Sequence, residues 1–276
     1  IKLEDEKIVQ RSEKKISNDK VNIGLIGAGN FTKSVILPNI QKVGDFEFVG
    51  LCTATGVSAQ GTGKKYDFKY ITTDSEEIFK NSEINSVFIT TRHNDHANKV
   101  LKAIESKKHC FVEKPLCIYE EELEAIKEAY TGETIVQVGF NRRFSPMIEK
   151  MKKFISGQIS VNYRINAGII PKNVWIQDRT IGGGRIIGEV CHFIDTCSYL
   201  IGSEVTSVFA TTIQKSDQSI PDEDNVNIVL NYVNGSTATI SYYAYGDNSM
   251  PKEYIEVFSS GLSMQMNDFR ELTIFK

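Results

Sequence analysis

The residues with the plainest chemical use are Glu113 and Lys114, which close the apolar run of CFVEKPLC (110–117) and are followed at once by Pro115. A lysine amine can take the proton of a hydroxyl, and its ammonium can return it. Proline fixes its own φ and restricts the residue before it, so this lysine is held in one place at the end of an apparent strand. A solvated lysine at a strand end is the plainer reading of the same residues. A second constellation lies in GGGRIIGEVCHFIDTCSYLIG (182–202), where Glu189, His192 and Asp195 fall three apart on an expected helix and so share a face. A histidine flanked by carboxylates suits acid–base work or the anchoring of a polar substrate. A histidine satisfied by its helical neighbours fits the same spacing.

The third constellation is IGLIGAGNFTKSV (23–35). A strand ends at Gly27, and Gly29, Asn30 and Phe31 occupy the turn before a helix. Glycine lets the backbone approach a pyrophosphate, and the helix N-terminus offers free N–H groups and positive potential. Thr32 stands where the GxGxxG pattern has its third glycine, so the placement at a first strand–helix junction carries the assignment. The carboxylate that usually receives the ribose should follow the second strand, yet LCTATG (51–56) supplies Thr53 and Thr55 and no acid. Either threonine can bond a ribose hydroxyl or a 2′-phosphate, with Lys64 or Lys65 nearby. NAD and NADP both remain open, with a lean toward NADP or dual use.

Other chemistries fare worse. No metal is expected, because Cys191 beside His192, and His93 with His96 in RHNDHA, provide no second ligand pair at suitable spacing. A Ser–His–Asp hydrolase is disfavoured because no GxSxG elbow occurs.

Elements that could position these residues follow from the rhythm of the chain. VNIGLIG, FEFVGLC, SVFITT, HCFVEK and TIVQVGF are short β-rich apolar runs, and helix-like stretches lie between them at 31–43, 75–80, 95–107 and 119–130. Strands alternating with helices predict a doubly wound parallel sheet over 21–140, with Lys114 at the carboxyl end of the strand HCFVEK, where ligands of such sheets lie. Past Phe140 a helix-like 145–156 and a helix near 188–201 accompany alternating runs, and VNGS (233–236) joins two of them with a strong hairpin signal. This half, 141–276, predicts an α+β domain on an open, mainly antiparallel sheet with helices on one face.

The 276 residues fit two domains, and 41% hydrophobic content suffices for sizeable cores. A net charge of −3 gives no electrostatic reason to expect nucleic acid or an anionic membrane as partner. No apolar run approaches a transmembrane length. The five cysteines form no CxxC pair and sit mostly in apolar runs, which points to a reduced, cytoplasmic protein. Residues 1–20 begin with Ile1, are dense in charge, and read as a linker or surface arm joined to an upstream domain.

GLIGAGNF, TTRHNDHA, CFVEKPLC, VGFNRRFSP and GGGRIIGEVCHFID occur in an order and spacing that resembles the glucose–fructose oxidoreductase/inositol dehydrogenase/MocA family over nearly all of 21–276. The resemblance implies a Rossmann domain, a second domain that binds a sugar-like substrate, and a nicotinamide cofactor. It implies hydride transfer at a hydroxyl-bearing carbon of a sugar, inositol or nucleotide-sugar. Carried over by position, Lys114 is the EKP lysine and His192 the helical acid–base or substrate-binding histidine. Thr91, Arg92, Asn94 and His96 lie in the loop that runs beside the cofactor, and Arg142 and Trp175 stand where substrate or cofactor contacts occur. Asp195 joins His192 on the substrate side. Many members carry an aspartate four residues before the histidine, where this chain has Gly188. Glu189 comes next, turned by about 100° along a helix, and is the replacement expected. The resemblance also implies a homo-oligomer through the C-terminal sheet and a helical segment beyond the last strand, so the second domain is expected to be truncated at its end. The wording of CTATGVSAQGTGKKY and GGGRIIGEVCHFID is similar to a subgroup fused behind an alcohol-dehydrogenase-like domain. A catalytically silent dinucleotide-binding regulator or scaffold of the same fold is the alternative to an enzyme.

Overall fold

The runs that read as continuously apolar become strands covered on both faces. A computed structural model describes residues 8–16, 19–213 and 224–276, which fall into two units, Ile1–Gly139 and Phe140–Lys276. In the first unit β2 (Val21–Ile26) and β3 (Phe46–Cys52) each bury five consecutive residues. They belong to a seven-stranded sheet of order β1-β4-β3-β2-β5-β6-β7, completed by β1 (Ile8–Gln10), β4 (Tyr70–Thr72), β5 (Ser86–Ile89), β6 (His109–Val112) and β7 (Val136–Val138). All its pairings are parallel except β1 with β4. The order reverses between β2 and β5, the point at which a doubly wound sheet opens its ligand crevice.

Neighbouring side chains on a strand point to opposite faces, and the cores divide accordingly. Leu25 packs in a cluster with Leu37 of α1 (Leu37–Val43) and Ala59 of α2 (Gly56–Lys65). Ile26, one residue on, packs on the other face with Ile78 of α3 (Glu76–Lys80), Val100 of α4 (His96–Glu105) and Ile126 of α5 (Glu120–Ala129).

Several elements depart from the sequence expectation, the short strand β4 among them. The helix of 31–43 opens as a π-type turn over Thr32–Ile36 before α1. α2 was hidden by its three glycines, which weaken helix propensity. A Cβ on Gly63 would lie 2.7 Å from Ile71, so that glycine serves the close approach of helix to strand. β1 lies within the segment expected to be a linker or arm: Ile8–Gln10 pairs with the sheet edge, and Arg11 N–H bonds the Lys69 carbonyl at 2.8 Å.

The second unit is built on another seven strands, in the order β14-β13-β12-β8-β11-β10-β9. These are β8 (Ser160–Asn166), β9 (Val205–Thr212), β10 (Asn225–Tyr232), β11 (Thr237–Tyr243), β12 (Glu253–Ser259), β13 (Leu262–Asn267) and β14 (Glu271–Phe275). The sheet is antiparallel apart from the parallel pair β8–β11. Asn234 and Gly235 make the expected hairpin between β10 and β11, with Gly235 at φ 82°. One face alternates inward through Ala238, Ile240 and Tyr242 and is covered by α6 (Pro146–Phe154) and α7 (Cys191–Ile201). α7 stops at Gly202 in the left-handed conformation, and Lys152 caps the freed Leu200 carbonyl at 2.8 Å.

Candidate functional site

In the first unit every residue expected at the cofactor stands just beyond the carboxyl end of a parallel strand: 27–31 after β2, Thr53 after β3, 91–96 after β5, and 113–114 after β6. At the switch point Gly27 has φ 95°, and a Cβ there would sit 2.5 Å from the Thr90 carbonyl oxygen. Glycine is therefore required by the chain itself. Thr90, which sequence reasoning missed, also donates its hydroxyl to the Gly27 carbonyl at 3.0 Å and receives support from β2 through its N–H to Ile26 at 2.8 Å. Gly29 differs. A Cβ there would meet no atom within 4 Å, so nothing in the protein asks for glycine. Asn30 and Phe31 are exposed beside it, Phe31 to 45%. A glycine that leaves space for something outside the chain, at a strand–helix turn, fits a dinucleotide pyrophosphate.

Thr53 is buried, and its hydroxyl donates to the Thr55 carbonyl at 2.8 Å. It can therefore only accept from a ribose hydroxyl. Lys64 and Lys65, expected nearby, close α2 at the far end from Thr55. At 1.5 Å per residue that puts them about 13 Å along the helix, which removes them from the ribose corner.

After β5, Arg92 and Asn94 are exposed and Thr91 half-buried, as a loop beside a ligand requires. His96 is not available for that role. It is fully buried, with Nδ1 2.6 Å from the Pro115 carbonyl and Nε2 3.3 Å from the Thr91 carbonyl. Burial lowers its pKa, with the two carbonyls acting against that, so the neutral ring is favoured. Its place is that of a strut between the loop after β5 and the loop that carries Lys114.

That second loop is fixed along its length. Glu113 N–H bonds Ile89 at 2.9 Å, and Gly139 leaves room for the Glu113 carboxylate, whose oxygen would be 3.0 Å from a Cβ. Burial raises the Glu113 pKa, offset in part by the Lys114 charge. Pro115 is buried, and the Glu122 carboxylate accepts from the N–H groups of Ile118 (2.9 Å) and Tyr119 (3.1 Å), tying the loop's exit to α5. Lys114 itself is half-buried at the carboxyl end of β6. A second lysine marks the contrast: Lys108, just before the other end of β6, is buried and donates to the carbonyls of Asn81 (2.8 Å) and Ile84 (2.7 Å). Lys108 braces a loop, whereas Lys114 stands at the ligand end of the sheet.

In the second unit the three-apart set on 189–195 is not one constellation. Glu189 lies in a π-type turn, Ile186–Val190, ahead of α7, and both its oxygens are engaged. Oε2 accepts from the Arg185 guanidinium (2.7 Å) and the Tyr242 hydroxyl (2.6 Å), and Oε1 from Lys252 (2.8 Å). Burial would raise its pKa, but Lys252 and Arg185 overrule it and bring the value down to about 2. A carboxylate so held cannot exchange protons near neutrality, which corrects the expectation that Glu189 serves as a catalytic acid or base.

Asp195, expected on the substrate side, is buried and takes Arg143 in a two-armed pair, with Nε to Oδ2 at 2.9 Å. Arg142 is corrected likewise. Its guanidinium grips Glu253 with both arms (2.9 and 2.6 Å), lies 4.8 Å from the Phe193 ring centroid, and the Tyr163 hydroxyl joins the same carboxylate. The spacing of acids on a helix could not reveal arginine partners arriving from 143 and 185. His192 is buried against Phe140 edge-on, with ring centroids 5.9 Å apart. Trp175 is half-buried in the turn-rich segment before α7, where Gly182 packs on the Ile176 backbone. Of the substrate-side residues, His192 and Trp175 remain candidates.

Burial pushes the Cys52 and Cys110 thiols up to about 12, so neither is a nucleophile. Among the described residues no group of three His, Cys, Asp or Glu side chains could hold a metal ion. No helix among them is long and apolar enough to cross a membrane.

Both units match known proteins. Residues 21–140 match the family described as "Oxidoreductase family, NAD-binding Rossmann fold", and residues 155–261 match the "GFO/IDH/MocA C-terminal domain". An uncharacterized oxidoreductase, YrbE, of Bacillus subtilis is 29% identical over 91% of this chain and 75% of its own length. Myo-inositol 2-dehydrogenase of Thermotoga maritima is 25% identical over 92% of this chain and 77% of its own length. Among solved structures, a levoglucosan dehydrogenase in complex with NADH and levoglucosan shares the fold with a TM-score of 0.81 and 24% identity, over 92% of this chain and 76% of that one.

Proposed function

The chain belongs to the glucose–fructose oxidoreductase/inositol dehydrogenase/MocA oxidoreductase family, and from that premise we propose that it oxidises or reduces a CH–OH carbon of a cyclitol, sugar or nucleotide-sugar with NAD or NADP. The observation that carries this reading is Lys114, held at the ligand end of the parallel sheet by Pro115, the His96 strut and the Glu122 tie. When bound, the nicotinamide would supply the acceptor, or the donor, of the carbon's hydride. Lys114 accepts the hydroxyl proton as that hydride leaves, and gives it back in the reverse direction. Gly27, Gly29, Asn30 and Phe31 hold the pyrophosphate end, Thr53 accepts from a ribose hydroxyl, and Thr91, Arg92 and Asn94 line the nicotinamide side. Of the second unit, His192 and Trp175 are the residues offered as contacts to the sugar-like substrate.

The polar ring substrates of relatives such as myo-inositol 2-dehydrogenase support this class. Five free cysteines support a reducing, cytoplasmic setting. Strand β9, exposed along its whole length with Val208 at 62% and Phe209 at 67%, supports a homo-oligomer formed through the second sheet.

A screen of inositols, free sugars and nucleotide-sugars, followed by NADH and NADPH absorbance, tests the proposal. Turnover with at least one of these classes is expected. Dinucleotide binding without turnover across all three would identify a silent regulator or scaffold instead.

A further inference from the structure

Lys33 belongs to the turn that leaves β2, and none of the roles above uses it. Its ammonium lies 3.4 Å from the Ser58 hydroxyl, in the first turn of α2, and it pairs with no carboxylate among the described residues. The Tyr66 hydroxyl donates to the Lys33 carbonyl at 3.3 Å and fixes the backbone from which the side chain reaches across. Ser58 follows Thr55 by three residues, so this contact closes over the carboxyl end of β3, where the adenosine ribose of a dinucleotide sits.

The chemistry of that corner is one-sided. The residues directly after β3 are Thr53, Ala54 and Thr55, and the first turn of α2 contains no acid. A carboxylate there would bind the two ribose hydroxyls of NAD and repel a phosphate. In its place stand an ammonium, a hydroxyl and the amino end of a ten-residue helix, all of which favour an anion. We propose that Lys33 and Ser58 form a subsite for the 2′-phosphate of NADP, which gives this chain use of NADP alongside NAD. The inference rests on the cofactor reading above and assigns its adenosine end.

Calorimetry on the full chain with NAD, NADP and 2′,5′-ADP tests it. NADP is expected to bind within about tenfold of NAD, a gap of about 1.4 kcal/mol. Lys33→Ala should weaken NADP and 2′,5′-ADP by tenfold or more and leave NAD within about threefold; retained NAD binding also shows that the variant folds. Ser58→Ala should weaken NADP several-fold in the same selective way. Equal losses of NAD and NADP in Lys33→Ala would place the lysine on the pyrophosphate and overturn the proposal, as would no loss of either. If the unaltered chain bound neither dinucleotide, the cofactor reading would fall and the subsite with it. Tight NAD binding with NADP a hundredfold weaker would remove the subsite alone.

Discussion

In the first unit the candidate side chains sit on loops leaving the carboxyl ends of β2, β3, β5 and β6; in the second, the residues of the same initial interest are tied up in arginine–carboxylate pairs, Asp195 and Glu189 in or beside a helix and Arg142 on Glu253 of the sheet. The loops are shaped mainly by backbone: Gly27 against Thr90, Pro115 against His96, and Ile118 and Tyr119 against Glu122. In the second unit Arg142, Arg143 and Arg185 each consume a carboxylate, and the acids that spacing recommended for chemistry are structural. A carboxylate three residues from a histidine is thus ambiguous until its cationic partners are known.

The largest effect expected from this contrast is on stability. Glu253 is buried and shared by Arg142 and Tyr163, so Arg142→Met strands a carboxylate and should cost about 3–5 kcal/mol. Denaturant unfolding would measure it. If the variant kept its stability and only raised KM, Arg142 would be a substrate contact after all, and the contrast would break at its strongest point.

Glu189 gives the next effect, with a pH signature. Its folded value of about 2 lies below the ordinary 4.5, so its ionised form stabilises the fold. The contribution, about 3 kcal/mol at most, is fully present above pH 4.5 and is lost as pH falls toward 2. The stability difference between the native chain and Glu189→Gln should therefore shrink on acidification through that window. A difference that stayed flat would mean Glu189 is not held by Lys252 and Arg185.

The two glycines of the first turn sharpen the comparison on a smaller scale. Gly27→Ala forces a Cβ onto the Thr90 carbonyl at φ 95° and should cost about 1–3 kcal/mol. Gly29→Ala meets no protein atom, so its stability should stay within about 0.5 kcal/mol while NAD affinity falls tenfold or more. Matched stability losses in the two variants would show that Gly29 serves the fold rather than a ligand.

Much of the first unit was legible because buried parallel strands are continuously apolar and their ends are marked by Gly27 and Pro115. The three-residue strands β1 and β4 were not, since so short a run has no measurable period. α2 escaped because its three glycines, of which Gly63 serves the packing on Ile71, suppress the helical signal. His96 was read as a cofactor contact because a loop position says nothing of burial, and its two carbonyl partners come from positions 91 and 115. Lys114 could be read because its restraint is written beside it. Glu189, Asp195 and Arg142 were misread because their restraints come from other elements, up to 111 residues away in sequence.

The central claim is that Lys114 moves a proton, and Lys114→Ala tests it most directly. With the best substrate from the screen, kcat should fall about 10²–10⁴-fold while dinucleotide affinity, measured by calorimetry on the same protein, stays within about twofold. Loss of dinucleotide binding with residual turnover at the normal rate would contradict the account: Lys114 would then be a cofactor anchor, and the proton would have to travel through His192.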